Sequence, residues 1–409
     1  MSPVASLRSA CAKALYYWAW QGPAASIGRL ALKSVGKRTA SFEAIECHSV
    51  ESYKIASAQL SEIIGPSYED NDVARASIEH PPIFAHLLEN LLINSRSSIM
   101  ARANTLLGPR YRIANRHRIP SNAAVLGYYD QEVALRRSGP AAIVQNGIFV
   151  GGDSSNNWYH FLIECLPRVF ATKFLPEKFD NYPLIVPPQV GSIPSFARAL
   201  SAVASDREVV VAPAERTLVR QAVIIDPISV TPHNCYPGIW PEVTDFSQHE
   251  GMMRDFISFI RESVLGNDLP IKSQRRIFIV RPGDRRQYNE ESLSEIAVQY
   301  NFEMIAPETL SLEAQARLWA EASYVVGPTG AAWSNMIFAA RPLRGLIWML
   351  PQYRGFASFS MLAGLLGHDL NYIDVDPESV PRSTSEAYGT AYSVSPEKFE
   401  IALKRLLEE

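Results

Sequence analysis

The sequence predicts an α/β protein built on parallel, doubly wound sheets in two units, preceded by a mixed α+β region. Three observations predict it. From Pro183 onward, compact runs of Val, Ile, Leu and Phe alternate with helical windows over short links, the pattern of strands buried on both faces. A chain of 409 residues is too long for one ordinary core. The stretch from Gly152 to Phe170 reads as a helix that is apolar on nearly every side, which only an interior position between layers accommodates.

The first region spans residues 1–140. Between Met1 and Phe42 stand Arg8, Lys13, Arg29, Lys33, Lys37 and Arg38, with no acidic residue. The apolar run Ala14 to Trp20 is too short and interrupted for a cleaved signal peptide. The basic, aromatic-rich segment either lies on an anionic membrane surface or packs on the protein as a tail. Glu51 to Gly65 and Pro82 to Ser95 read as helices. From Ser98 to Val150 short apolar segments, including Ala123 to Tyr128 and Ala141 to Val150, read as strands meandering beside the main sheet.

Residues 141–235 form the first α/β unit. Its strands are Pro183 to Val186, Glu208 to Ala212 and Gln221 to Asp226, with a crossover helix at Ser195 to Ser205. The Pro- and aromatic-rich stretch His233 to Thr244 reads as the connection. Residues 245–409 form the second unit, which opens on a long helix, Phe246 to Leu265. Strands follow at Arg276 to Val280, Phe302 to Ile305, Tyr324 to Val326, Gly345 to Met349 and Leu370 to Ile373. Helices at Ser292 to Tyr300 and Ser311 to Ala322 alternate with them, and an amphipathic helix from Pro396 to Leu407 closes the chain.

Composition narrows the function. Hydrophobic residues make up 47%, charged residues 20%, and the formal net charge is −3, which does not fit a nucleic-acid binder. No run of about 18 apolar residues suggests a transmembrane helix. Cys11, Cys47, Cys165 and Cys235 form no metal-ligand or redox spacing, and they read as reduced thiols of a cytosolic protein.

Three stretches carry chemistry. In GDSSNNWYHFLIECLPRVF the polar side chains Asn157, His160, Glu164 and Arg168 recur at i, i+3, i+7 and i+11, one above another on an otherwise apolar helix. Asp153, Ser154 and Ser155 offer N-caps, and Pro167 is expected to end or kink the helix. The stripe reads either as a catalytic line or as a satisfied piece of interior. In KSQRRIFIVRPGDRRQYNEESL, Lys272, Arg275, Arg276, Arg281, Arg285 and Arg286 face one acid, Asp284, at the carboxyl end of a strand, where open sheets place ligands. In VVGPTGAAWSNMIF a strand runs through a Gly327 and Gly330 turn into a helix start at Ala331, an arrangement that holds anions. It lacks both the Walker GK[ST] and the GxGxxG fingerprint. Asp374 and Asp376 resemble a DxD metal clamp, or else a turn or cap.

Taken together, the three stretches resemble the family 61 glycosyltransferases, which include bacterial capsular-polysaccharide proteins and eukaryotic xylosyl-, arabinosyl- and N-acetylglucosaminyltransferases. The resemblance covers roughly Val150 to Tyr372. NWYHFLIECLPRV is similar to the family's N-x-Y-H-x-x-x-E-x-L-P-R segment, and VRPGDRRQYNEESL to its R…R-x-x-N-E segment, which carries Arg281, Arg286, Asn289 and Glu290. The third segment matches at Gly327, Gly330, Ala331 and Asn335, but Thr329 stands where the family usually has His.

The resemblance implies a GT-B-like fold, two Rossmann-like domains facing a cleft, and an inverting transfer from a nucleoside-diphosphate sugar to a hydroxyl of a glycan acceptor. It further implies a place in capsule or other surface polysaccharide synthesis, at a cytoplasmic site or on the inner face of the membrane. Arg281, Arg286, Asn289, Glu290, Gly327, Thr329, Gly330, Ala331 and Asn335 would bind the donor, and Asn157 and Arg168 would lie on the acceptor side. His160 or Glu164 would take the acceptor proton, with no metal and no cofactor beyond the donor itself. Two rivals remain: a transferase-derived protein that binds a nucleotide sugar or glycan without turnover, suggested by Thr329, and a metal-dependent transferase using Asp374 and Asp376.

Overall fold

The structure, a computed structural model, describes residues 39–68, 73–95, 97–102, 105–109, 125–129, 132–135, 141–232, 238–266, 275–281, 283 and 287–408. Most of the basic amino-terminal segment, Cys11, Cys235, Lys272, Asp284, Arg285 and the expected donor residue Arg286 lie outside them.

Two large sheets organise the described residues. The first has eleven strands and is mixed. Its parallel part runs Val209–Val211, Leu184–Val186, Ala142–Phe149, Arg216–Ile225. In chain order that is 3-2-1-4, so the winding reverses between the first and fourth strands. Ile83–Asn94 then pairs antiparallel to Arg216–Ile225, and short strands from residues 39–135 continue the sheet. The second sheet is parallel throughout: Glu303–Ile305, Arg275–Ile279, Ala322–Pro328, Arg344–Met349, Asp369–Asp374 and Ser67–Tyr68. Its first five strands stand in the chain order 2-1-3-4-5, with a reversal between Arg275–Ile279 and Ala322–Pro328. Both faces are covered, which is why Ile277, Phe278, Leu346, Ile347 and Trp348 are all buried.

The expected parallel α/β pattern is present, and most elements fall within a few residues of their predicted places. Two helices do not form. Glu51 to Gly65 is instead the strands Glu51–Ala56 and Gln59–Ile64, and Pro82 to Ser95 is the twelve-residue strand Ile83–Asn94. That long strand is paired on both edges, by Glu51–Ala56 and Arg216–Ile225, and pairing overrides the helix propensity of its Leu, Ala and Glu. Asn90, at φ +54°, interrupts the two-residue alternation, so that buried Leu88 and Leu91 fall three apart and imitate a helical face. Ala142–Phe149, expected in a side meander, is an interior strand of the parallel part and pairs along both edges. The helix Ser358–Leu366 had no amphipathic stripe to reveal it, being buried along most of its length.

The amino-terminal strands are not a separate layer. Ser67–Tyr68 extends the second sheet, whereas Ile83–Asn94 belongs to the first. The helices Pro194–Ala204, Glu250–Leu265 and Leu312–Glu321 pack on one another between the sheets. One apolar cluster therefore runs from Ile148, Leu162 and Phe196 through Phe256 to Trp319, Trp333 and Ile347. Both points of reversal lie at the edges of this shared core.

Candidate active site

The central helix starts later than expected. Asn157, rather than Asp153, Ser154 or Ser155, is the N-cap, its Oδ1 accepting the Tyr159 N–H at 2.9 Å. After Trp158–His160 the helix widens into a π turn over Phe161–Cys165, in which the Leu166 N–H bonds to the Phe161 carbonyl. It then resumes as Leu166–Ala171. Pro167 neither ends nor breaks it, because the proline falls in the first turn of the resumed segment, where its missing N–H is not called on.

His160 and Glu164 meet across the π turn, Nδ1 to Oε2 at 2.9 Å. The second oxygen of Glu164 accepts the Thr231 N–H at 2.9 Å. A carboxylate fixed on both oxygens favours the imidazole tautomer that carries its proton on Nδ1, facing Glu164. Arg168 turns back onto the main chain, donating from Nε to the Glu164 carbonyl at 3.0 Å and from Nη2 to the Gly151 carbonyl at 2.9 Å. The expected acceptor-side residues thus divide: Asn157 caps the helix, and Arg168 ties it to the end of the Ala142–Phe149 strand. Glu164 and Arg168 line a narrow cavity of ≈ 20 Å³ with Gly151, Asp153, Asp226 and Ser229, at the reversal point of the first sheet. Burial pushes the neighbouring Cys165 thiol up to about 11, which keeps it protonated and unreactive.

The second reversal point opens into a cleft of ≈ 720 Å³, a size that fits a ligand of several rings. Arg281 leaves the end of its strand and crosses to the neighbouring turn, where Nη2 donates to the Thr329 carbonyl. Gly330 is needed there for space: its φ of 174° suits any residue, but a Cβ would lie 2.7 Å from Arg281 Nη2. Gly327 is needed likewise, since its Cβ would stand 2.7 Å from Ile279 Cβ. The Thr329 N–H donates to the Trp348 carbonyl at 3.0 Å, so the main chain at this departure from the family pattern is fixed without help from its side chain. Gly330 and Ala331 then begin the helix Ala331–Phe338, which is a tight 3₁₀ helix.

Asn335 faces inward. Its Oδ1 accepts from Trp158 Nε1 at 2.7 Å and its Nδ2 donates to Gln315 at 2.8 Å, which joins the central helix to the second sheet's layer. Asn289 and Glu290 do not line the cleft: Asn289 exchanges two 2.9 Å bonds with Val394, and Glu290 accepts from the Arg281 N–H and the Tyr288 hydroxyl. Burial, followed by that bond to Glu290, raises the pKa of the Tyr288 hydroxyl. Asp374 is taken by Arg354, whose guanidinium lies 4.7 Å from the Tyr68 ring centroid, and Asp376 is exposed on a separate short strand. The DxD string therefore presents no paired carboxylates.

The cleft unites Arg281, Gly330 and Ala331 with Trp158, while His160 and Glu164 are not among its lining residues. The sequence offered no signal for Arg198, Glu308 and Glu313, which line the same cleft from elements outside the motifs. No curated protein matches the chain. Residues 158–346, which run from Trp158 through the basic strand end to the turn at Gly330 and beyond, match the model of the family Glycosyltransferase 61, and that match supports a glycosyltransferase of family 61 in this part of the chain.

Proposed function

We propose that the chain is an inverting, metal-independent glycosyltransferase of GT-B type that moves a sugar from a nucleoside-diphosphate donor to a glycan hydroxyl. The observation that carries this reading is the cleft at the second reversal point, where the Arg281 guanidinium and the main chain at Gly330 and Ala331 converge from adjacent strand ends. Developing charge on a diphosphate leaving group would be met there by a planar cation and the start of a helix, so no metal is required. His160 is the base of choice. Glu164 is engaged at both oxygens, by His160 Nδ1 and by the Thr231 N–H, so it serves to orient the imidazole, whose ring is the group that can exchange a proton near neutral pH. The acceptor would approach from the first sheet's side of the central helix. A role in surface polysaccharide synthesis rests on the family likeness alone.

The test is transfer from a panel of nucleotide sugars, with and without oligosaccharide acceptors, in the presence of EDTA. Acceptor-dependent release of nucleoside diphosphate supports the reading. A second reading, binding without turnover, is favoured by the position of His160 and Glu164 outside the cleft lining. Saturable donor binding with no release on any acceptor would select it.

A further inference from the structure

The cleft is lined by a second guanidinium besides that of Arg281. Arg198 projects from the helix Pro194–Ala204, which covers the first sheet, and Glu313 from the helix Leu312–Glu321, which covers the second; both line the cleft. They meet across it, Arg198 Nε to Glu313 Oε1 at 2.5 Å. The two side chains remain 42% and 46% exposed, so water screens both charges and the pair holds weakly. Glu313 is well supplied as an anion: its own backbone N–H near the helix start, and then Arg198 and Ser311, hold its carboxyl below the usual range against the opposing effect of burial.

We infer that Arg198 is a second binding residue for the donor's diphosphate, and that Glu313 competes with the ligand for it. This rests on reading the cleft as the donor site. A diphosphate brings more charge than one carboxylate and offers oxygens that match a guanidinium bidentately, so exchanging partners favours the ligand. With Arg281 at the end of the strand Arg275–Ile279 and Arg198 on the helix Pro194–Ala204, the anion would be gripped from both units at once. The Glu313 carboxylate, released, would remain as a selective element that penalises cleft occupants lacking charge to replace it.

A plain strut between the walls makes the opposite claim, since removing either end of a strut should harm the site. Calorimetric titration of the full chain with uridine, guanosine and cytidine diphosphate, and with inorganic pyrophosphate, separates them. For whichever nucleotide binds, Arg198→Ala should raise Kd about tenfold, the scale of one charge-assisted contact. Glu313→Gln should lower Kd about threefold, the scale of an exposed ion pair. In the double variant the gain should vanish, because Glu313 acts through Arg198. Both sites are exposed, so wild-type melting is expected of each variant. Weaker binding in Glu313→Gln, or a gain that persists without Arg198, overturns the inference. Unchanged affinity in Arg198→Ala beside weakened affinity in Arg281→Ala overturns it while leaving the donor site standing. No effect from either arginine removes the donor-site reading and the inference with it.

Discussion

At the scale of single residues, the two members of the proposed dyad are held differently, and substitutions should divide them. Glu164 accepts from both His160 and the Thr231 N–H, so Glu164→Ala strips acceptors from two donors and should cost stability of about 1 to 3 kcal/mol together with turnover. His160→Ala leaves Glu164 its bond from the Thr231 N–H. It should melt near wild type and lose roughly 10² to 10⁴ in kcat, the range for a general base. Chemical denaturation beside single-turnover kinetics reads both; a low-melting His160→Ala with normal turnover would make the stripe a piece of interior. Arg168 bonds to two main-chain carbonyls, so Arg168→Ala should destabilise by about 2 kcal/mol and leave donor affinity alone, as thermal shift with nucleotide would record. The spacing of the stripe was legible because i, i+3 and i+4 neighbours must align on a helix. That Arg168 folds back onto the main chain at Glu164 and Gly151 was not legible, since a guanidinium reaches main chain and ligand equally well.

At the scale of elements, the proposed anion site is a product of strand order. Placing Arg275–Ile279 beside Ala322–Pro328 brings Arg281 against the turn at Gly330 although 49 positions separate them in the sequence. Gly330→Ala would push a methyl group to within 2.7 Å of Arg281 Nη2, the mobile end of a long side chain. The fold should therefore tolerate it while the guanidinium is displaced. We expect Gly330→Ala and Arg281→Ala each to weaken nucleoside diphosphate binding, by about 2 kcal/mol for the arginine, and to combine less than additively, since both act on one contact. Titration of the two single variants and the double one is the check. The Arg354 partner of Asp374 bears on metal: activity should survive EDTA, and Arg354→Ala should impair packing at Tyr68 without creating a metal requirement. Loss of activity on chelation, restored by Mg²⁺ or Mn²⁺, would reverse this. The second unit was readable because each of its strands is a short apolar run between clear helix signals. Ile83–Asn94 was not, because its shifted alternation at Asn90 is written in backbone geometry, and the π turn before Pro167 leaves no mark in residue type.

At the scale of the whole molecule, the two sheets share one core, and the junctions between layers bury histidines whose titration couples stability to pH. His368 donates from Nε2 to the Met336 carbonyl and accepts the Leu343 N–H at Nδ1, so it ties the helix Ser358–Leu366 to the 3₁₀ helix that begins at the cleft. Burial pulls its imidazole down to about 4, against the pull of the Met336 carbonyl and with help from Arg261. His80, packed edge-on to His249 at the start of the Glu250–Leu265 helix, is likewise pulled down to about 4, by burial first, with the Pro81 carbonyl and Asp226 opposing and His249 adding. Both rings are neutral in the native state but ionise near 6.5 when the chain unfolds. The unfolded state therefore binds more protons between the two values, and stability must rise with pH there. Above about 6.5 their contribution is complete; as pH falls toward 4 it is lost, by about 3 kcal/mol for each ring from a shift of this size. Urea denaturation at pH 7.5, 6, 5 and 4.5 should show stability falling over that window with proton uptake on unfolding. His368→Gln should lower stability at pH 7.5 and flatten the acid limb, because the side chain no longer titrates. A limb of undiminished slope in His368→Gln and in His80→Gln would place the acid sensitivity in the carboxylates instead, and would mean that these two rings are already protonated, and satisfied, in the folded protein.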